Sequence, residues 1–100
     1  MDFIDIQGAA ADYRFRPWPE RGDHVPMAGN YVVVKIGSRP PEPLVIGVTN
    51  DLSRLAAKVR SLKPGQKLFT RLNVARASRE DAHADLVARR PDAQVEVDAV

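Results

Sequence analysis

The sequence contains no cysteine, so neither a disulfide nor a cysteine-ligated zinc or iron–sulfur centre is available to it. Its two histidines, His24 and His83, lie far apart and have no metal-ligand spacing, which argues against a histidine-based zinc site. No apolar run approaches the roughly 20 residues that cross a bilayer. The first residues, MDFIDIQ, carry acids where a secretory leader needs a basic segment. Together these absences set the expectation of a soluble, cytoplasmic protein with no membrane partner. One further absence is local. Between Leu52 and Arg79 there are eight basic residues and not one acid. A stretch of one sign either faces solvent or meets an anionic partner such as DNA or RNA.

What is present is enough for one domain. The chain has 100 residues, 44% of them apolar and 28% charged, a composition that can bury a modest core. The net charge of +2 conceals an asymmetry: residues 1–50 carry five cations and six anions, and residues 51–100 carry ten cations and seven anions.

Residues 1–28 read as an N-terminal arm or extension. Phe3, Ile4 and Ile6 suggest a short strand. The stretch DYRFRPWP, residues 12–19, alternates, with Tyr13 and Phe15 on one side and Arg14 and Arg16 on the other, the signature of a half-buried strand that Pro17 and Pro19 stop. Trp18, set between those prolines, reads as an anchor that packs the arm onto the domain; a stacking surface for a base is the alternative.

Tyr31–Ile36 is nearly all β-branched or aromatic and predicts a strand, with Tyr31, Val33 and Lys35 on one face and Val32, Val34 and Ile36 on the other. Three prolines between Gly37 and Pro43 predict a stiff hairpin connection. Leu44–Val48 predicts the second strand. Thr49, Asn50 and Asp51 offer N-caps to a helix whose stripe is Leu52, Leu55, Ala56, Val59 and Leu62. Lys67–Ala77 predicts a third strand, with Leu68, Leu72 and Val74 inward. Ser78–Asp81 has the shape of a capping box for a second helix that Pro91 ends. On that helix His83 falls in the apolar arc with Ala82, Leu86 and Val87. Residues 92–100 read as a tail or short strand.

The triplet Gly29-Asn30-Tyr31, the triplet Val45-Ile46-Gly47 and the following VTNDLSRLAAKVRSL occur in the order strand, hairpin, strand, helix, strand, helix. This layout resembles the GIY-YIG domain, in its short bacterial single-domain form, over residues 29–91. The resemblance implies a small α/β (α+β) domain with a three-stranded antiparallel sheet flanked by helices. It also implies metal-assisted cleavage of a phosphodiester. In that chemistry the first-motif tyrosine activates water, a helix arginine binds phosphate and a glutamate on the later helix holds the divalent ion.

Carried over position by position, the first-motif tyrosine is Tyr31. The second-motif tyrosine falls on Val45, the arginine on Leu55 with Arg54 beside it, and the metal-binding glutamate on His83, with Glu80 and Asp85 nearby. Losing the carboxylate and the arginine removes the metal ligand and the charge clamp. The expectation is therefore a degenerate, non-catalytic module without a cofactor that touches nucleic acid through Arg54, Lys58, Arg60, Arg71 and Arg76. Two alternatives remain. One is a Mg2+- or Mn2+-dependent nuclease with a rearranged site: Tyr31 as base partner, Arg54 or Arg71 as phosphate clamp, and His83 with Glu80 around the metal. The other is a protein-interaction domain.

Overall fold

The structure, a computed structural model, describes residues 3–19 and 24–97. It is an α+β fold: one six-stranded mixed sheet covered by a helix on each face. The strands are β1 (Ile4–Gln7), β2 (Asp12–Pro17), β3 (Gly29–Lys35), β4 (Pro43–Thr49), β5 (Gln66–Leu72) and β6 (Gln94–Val97). The helical segments are a 3-10 turn at Leu52–Leu55 that runs into α1 (Ala56–Ser61), and α2 (Arg76–Arg89). The strand order is β1-β2-β5-β3-β4-β6. All neighbours are antiparallel except β4 and β6.

The three strands expected from the sequence form the middle of this sheet, so the sheet is twice as wide as the three-stranded one predicted. The added strands come from both flanks. The segment read as an arm supplies β1 and β2, and β2 docks on β5 through Arg16↔Thr70 and Pro17↔Phe69. The tail supplies β6, paired with β4 from Val45↔Gln94 to Val48↔Val97. Phe15 and Ile6 are among the most deeply buried side chains, so residues 3–17 share the core of the domain.

Alternation on β3 explains the two-sided core. Val32 and Val34 join Ile6, Phe15, Ile46, Phe69 and Leu86 on the face that α2 covers. Tyr31 and Val33 join Leu52, Leu55 and Leu68 on the face under the 3-10 turn and α1, with Trp18, Val45, Val59 and Leu62 at its border. A strand buried on both sides has no need of polar alternation, which is why β3 is almost uniformly β-branched.

Local starts and stops differ from expectation in two places. The Asp51 side chain accepts from the Ser53 N–H, as an N-cap should, but the first turn it caps is 3-10 and only six α-helical residues follow. The second helix begins at Arg76, two residues before Ser78, with Ala75 at its N-cap and no side-chain cap. Ser78 therefore lies within the helix. A buried polar network fixes this start instead. Asn30, fully buried, donates from Nδ2 to the Arg79 carbonyl at 3.0 Å and accepts at Oδ1 from Asn73 Nδ2 at 3.1 Å. The Arg79 guanidinium donates to the Val74 carbonyl at 2.8 Å and the Asn73 carbonyl at 3.3 Å. β5 also stops at Leu72, and both Leu72 and Val74, expected inside, are about half exposed.

Candidate functional site

Tyr31 lies on the α1 face of β3, directly beside Gly47 of β4. Because Gly47 has no side chain, the Tyr31 ring passes over it. A Cβ at position 47 would sit inside the ring's contact distance. One strand further on, Glu96 of β6 pairs with Gly47 and points to the same face. The Tyr31 hydroxyl donates to Glu96 Oε1 at 2.7 Å. From the covering helix, Lys58 Nζ reaches Glu96 Oε2 at 2.8 Å, and Gln94 Nε2 donates to the same oxygen at 3.1 Å. A hydroxyl, a carboxylate and an ammonium thus meet where α1 closes on the edge of the sheet. Partial burial alone would raise the Glu96 carboxyl, but the hydrogen bonds from Lys58 and Tyr31 outweigh it and hold the group below its ordinary value. Glu96 is the anion of this cluster and Tyr31 is a donor to it.

The surroundings of this cluster match the carried-over positions only in part. Leu55 packs in the same apolar cluster as Tyr31, and Val45 borders it. His83 and Glu80 are on α2, which packs on the opposite face of the sheet. They do not meet Tyr31. His83 is half-buried, its Nδ1 has no hydrogen-bond partner, and burial lowers its pKa. Glu80 pairs with Arg76 at 2.9 Å on the surface of α2. Asp85 binds the β1–β2 turn instead: it accepts from the Ala10 and Ala11 N–H groups and from the Tyr13 hydroxyl.

The described residues around Tyr31 offer a divalent cation a single carboxylate, Glu96. Among the described residues no group of three or more His, Asp or Glu side chains could hold one. Among the described residues the carboxylate at Tyr31 is Glu96, which accepts from an ammonium and a hydroxyl, so its charge is already paired.

The five cations expected to contact nucleic acid are not on one surface. Arg54 faces Asp51 at 3.9 Å, Lys58 is paired with Glu96, and Arg76 is paired with Glu80. Arg71 lies over the Tyr13 ring on the α2 side of the sheet and donates to the Arg14 carbonyl. Arg60 alone of the five stands with a different group. At the end of the sheet where β3 leaves and β4 and β5 enter, Lys35 closes β3 opposite Gln66, and Lys67 stands opposite Val34. Lys63 occupies the turn just ahead of β5, held by hydrogen bonds with Gln66. Arg39 lies in the β3–β4 connection. Among the described residues, none of Lys35, Arg39, Arg60, Lys63 and Lys67 has a carboxylate within ion-pair distance.

Lys63 lay within the acid-free stretch, so its charge was legible in the sequence. Its nearness to Lys35, through Gln66, depends on strand register and was not. Among the described residues no helix is long and apolar enough to cross a membrane. Comparisons with protein-family models, with curated proteins and with solved structures returned no match to this chain, so the GIY-YIG resemblance rests on the sequence motifs alone.

Proposed function

We propose that this chain is a non-catalytic binding module that contacts nucleic acid through phosphates at its basic end. The observation that carries this reading is the set Lys35, Arg39, Arg60, Lys63 and Lys67, gathered at one end of the sheet without an acid partner. Cations already paired with carboxylates bring little to a polyanion, because binding must first break the pair. Unpaired cations release counterions from the phosphates directly. The Tyr31 cluster supports the non-catalytic half of the proposal, since its hydroxyl donates to the Glu96 carboxylate and that carboxylate is paired with Lys58.

The test is fluorescence anisotropy with labelled DNA and RNA at several salt concentrations. The expected result is sequence-independent binding whose log affinity falls linearly with log salt, with a slope of roughly −3 to −4 for about four phosphate contacts. Failure to bind either nucleic acid at low salt overturns the proposal.

A further inference from the structure

A groove of about 540 Å³ opens at the same basic end. One wall is Trp18 and Pro19, which follow β2, and the other is Val59, Leu62 and Pro64 from α1 and the turn after it. Lys63 lines its rim; Lys67 borders it too, with its ammonium over the Phe69 ring at 5.5 Å. Among the described residues no acid lines the groove. Its volume is in the range of sites that hold a small organic group, roughly 300–1,000 Å³. Trp18 is fixed there. Its backbone N–H donates to the Leu68 carbonyl at 3.0 Å, and its ring borders the core cluster of Tyr31, Leu55 and Leu68. The His24 ring stands 5.2 Å from it. A rigid aromatic in an apolar slot with a cationic rim is the combination that takes a flat π-system attached to a phosphate.

A second groove continues the first on the same face of the sheet. It is lined by Arg14, Arg16, His24, Thr70 and Leu72, and it shares Pro19 with the first. Arg16 is exposed, and among the described residues it has no ion-pair partner. A chain laid from Lys63 past Trp18 would therefore meet its next cation at Arg16.

We infer that the Trp18 groove accepts an unpaired base, so that the module prefers single-stranded over double-stranded nucleic acid, with phosphates on Lys63 and Arg16 to either side. The inference rests on the phosphate-binding reading above and adds the strand preference. In a duplex the base faces are stacked on one another and cannot enter the groove, whereas in a single strand each base offers its face to an aromatic ring.

Trp18 is the sole tryptophan of the chain, so its fluorescence reports on this groove alone. The full chain is titrated at low salt with a single-stranded DNA dodecamer, the same strand in a duplex, and a dodecamer with abasic sites. The expected result is quenching of Trp18 by the intact single strand, with affinity roughly tenfold above that for the duplex and for the abasic strand. Trp18→Leu, checked for folding by circular dichroism, is expected to lower single-strand affinity by about the same factor and to leave duplex affinity unchanged.

Equal affinity for all three ligands with unchanged Trp18 emission overturns the base pocket and leaves the phosphate reading standing. No binding to any of them overturns both. A change of emission with protein concentration alone places a second copy in the groove and overturns the inference.

Discussion

The Tyr31 ring occupies the space that a side chain at Gly47 would fill. This makes the glycine of the second motif a packing requirement, independent of any backbone conformation. Gly47→Ala is expected to destabilise the fold by roughly 1–3 kcal/mol, the usual cost of forcing a methyl into a filled site. The same substitution in a Tyr31→Leu background is expected to cost much less, because the ring it displaces is gone. Urea unfolding of the four proteins gives the coupling directly. Additive losses would show that Gly47 is needed for some reason other than Tyr31.

Glu96 gives the tail strand a dependence on pH. Its carboxyl titrates below the ordinary value of 4.5 in the folded state, because the hydrogen bonds from Lys58 and Tyr31 outweigh its burial. A group with a depressed folded pKa contributes stability that is fully present above the unfolded value and is lost as pH falls through the folded one. At neutral pH, Glu96→Gln is expected to cost roughly 1–2 kcal/mol, since a charge-assisted pair is replaced by a neutral one. That difference is expected to shrink as pH falls below about 4.5, the ordinary glutamate value. Denaturant midpoints of the two proteins measured at a series of pH values check this. Curves that stay parallel throughout would mean that Glu96 is not stabilised as an anion.

Asn30 has no access to solvent, and its amide serves two elements at once: it donates to the Arg79 carbonyl and accepts from Asn73. Asn30→Ala removes both hydrogen bonds from a fully buried site and is expected to destabilise by about 1–3 kcal/mol. Loss of the amide removes the tie between β3 and the start of α2. Hydrogen exchange in the first turn of α2 is therefore expected to accelerate more than exchange in β4. Uniform acceleration across the fold would assign the effect to global stability alone.

The parts of this fold that were legible in the sequence are those whose signals are local. The uniform β-branching of Val32, Val33 and Val34 announced a strand, and the alternation of Tyr13, Arg14, Phe15 and Arg16 announced a half-buried one. What could not be read was which strands become neighbours. Nothing near Ile6 or Phe15 says that β2 will dock on β5 and bring both residues into the main core. Nothing near Glu96 says that it will meet Tyr31, 65 positions earlier in the chain, across a glycine.

The capping-box pattern at Ser78 misplaced the helix start because a local motif was weighed without the buried Asn30 network. That network joins residues more than 40 positions apart. The same limit applied to the cations. The sequence showed how many there were between Leu52 and Arg79, but pairing with Glu80 and Glu96, from outside the counted stretch, removes Arg76 and Lys58 from the set free to bind.

That distinction between paired and unpaired cations yields the sharpest comparison. Arg60 and Lys63 lie at the basic end, while Arg76 lies beyond the opposite end of β5, at the start of α2, paired with Glu80. All three side chains are exposed, so charge reversal at each leaves the core intact. Arg60→Glu and Lys63→Glu together change the net charge by four units, from +2 to −2, and Arg76→Glu changes it by two. If phosphates dock at the basic end, the double variant is expected to reduce the magnitude of the salt slope by roughly two, about one for each lost contact. Arg76→Glu is then expected to shift affinity slightly at low salt with the slope unchanged. Lys63→Gln alone removes a contact without adding repulsion, and it is expected to lower the slope by about one. If Arg76→Glu instead changed the slope as much as the double variant, binding would follow net charge, and the basic end would hold no special place in it.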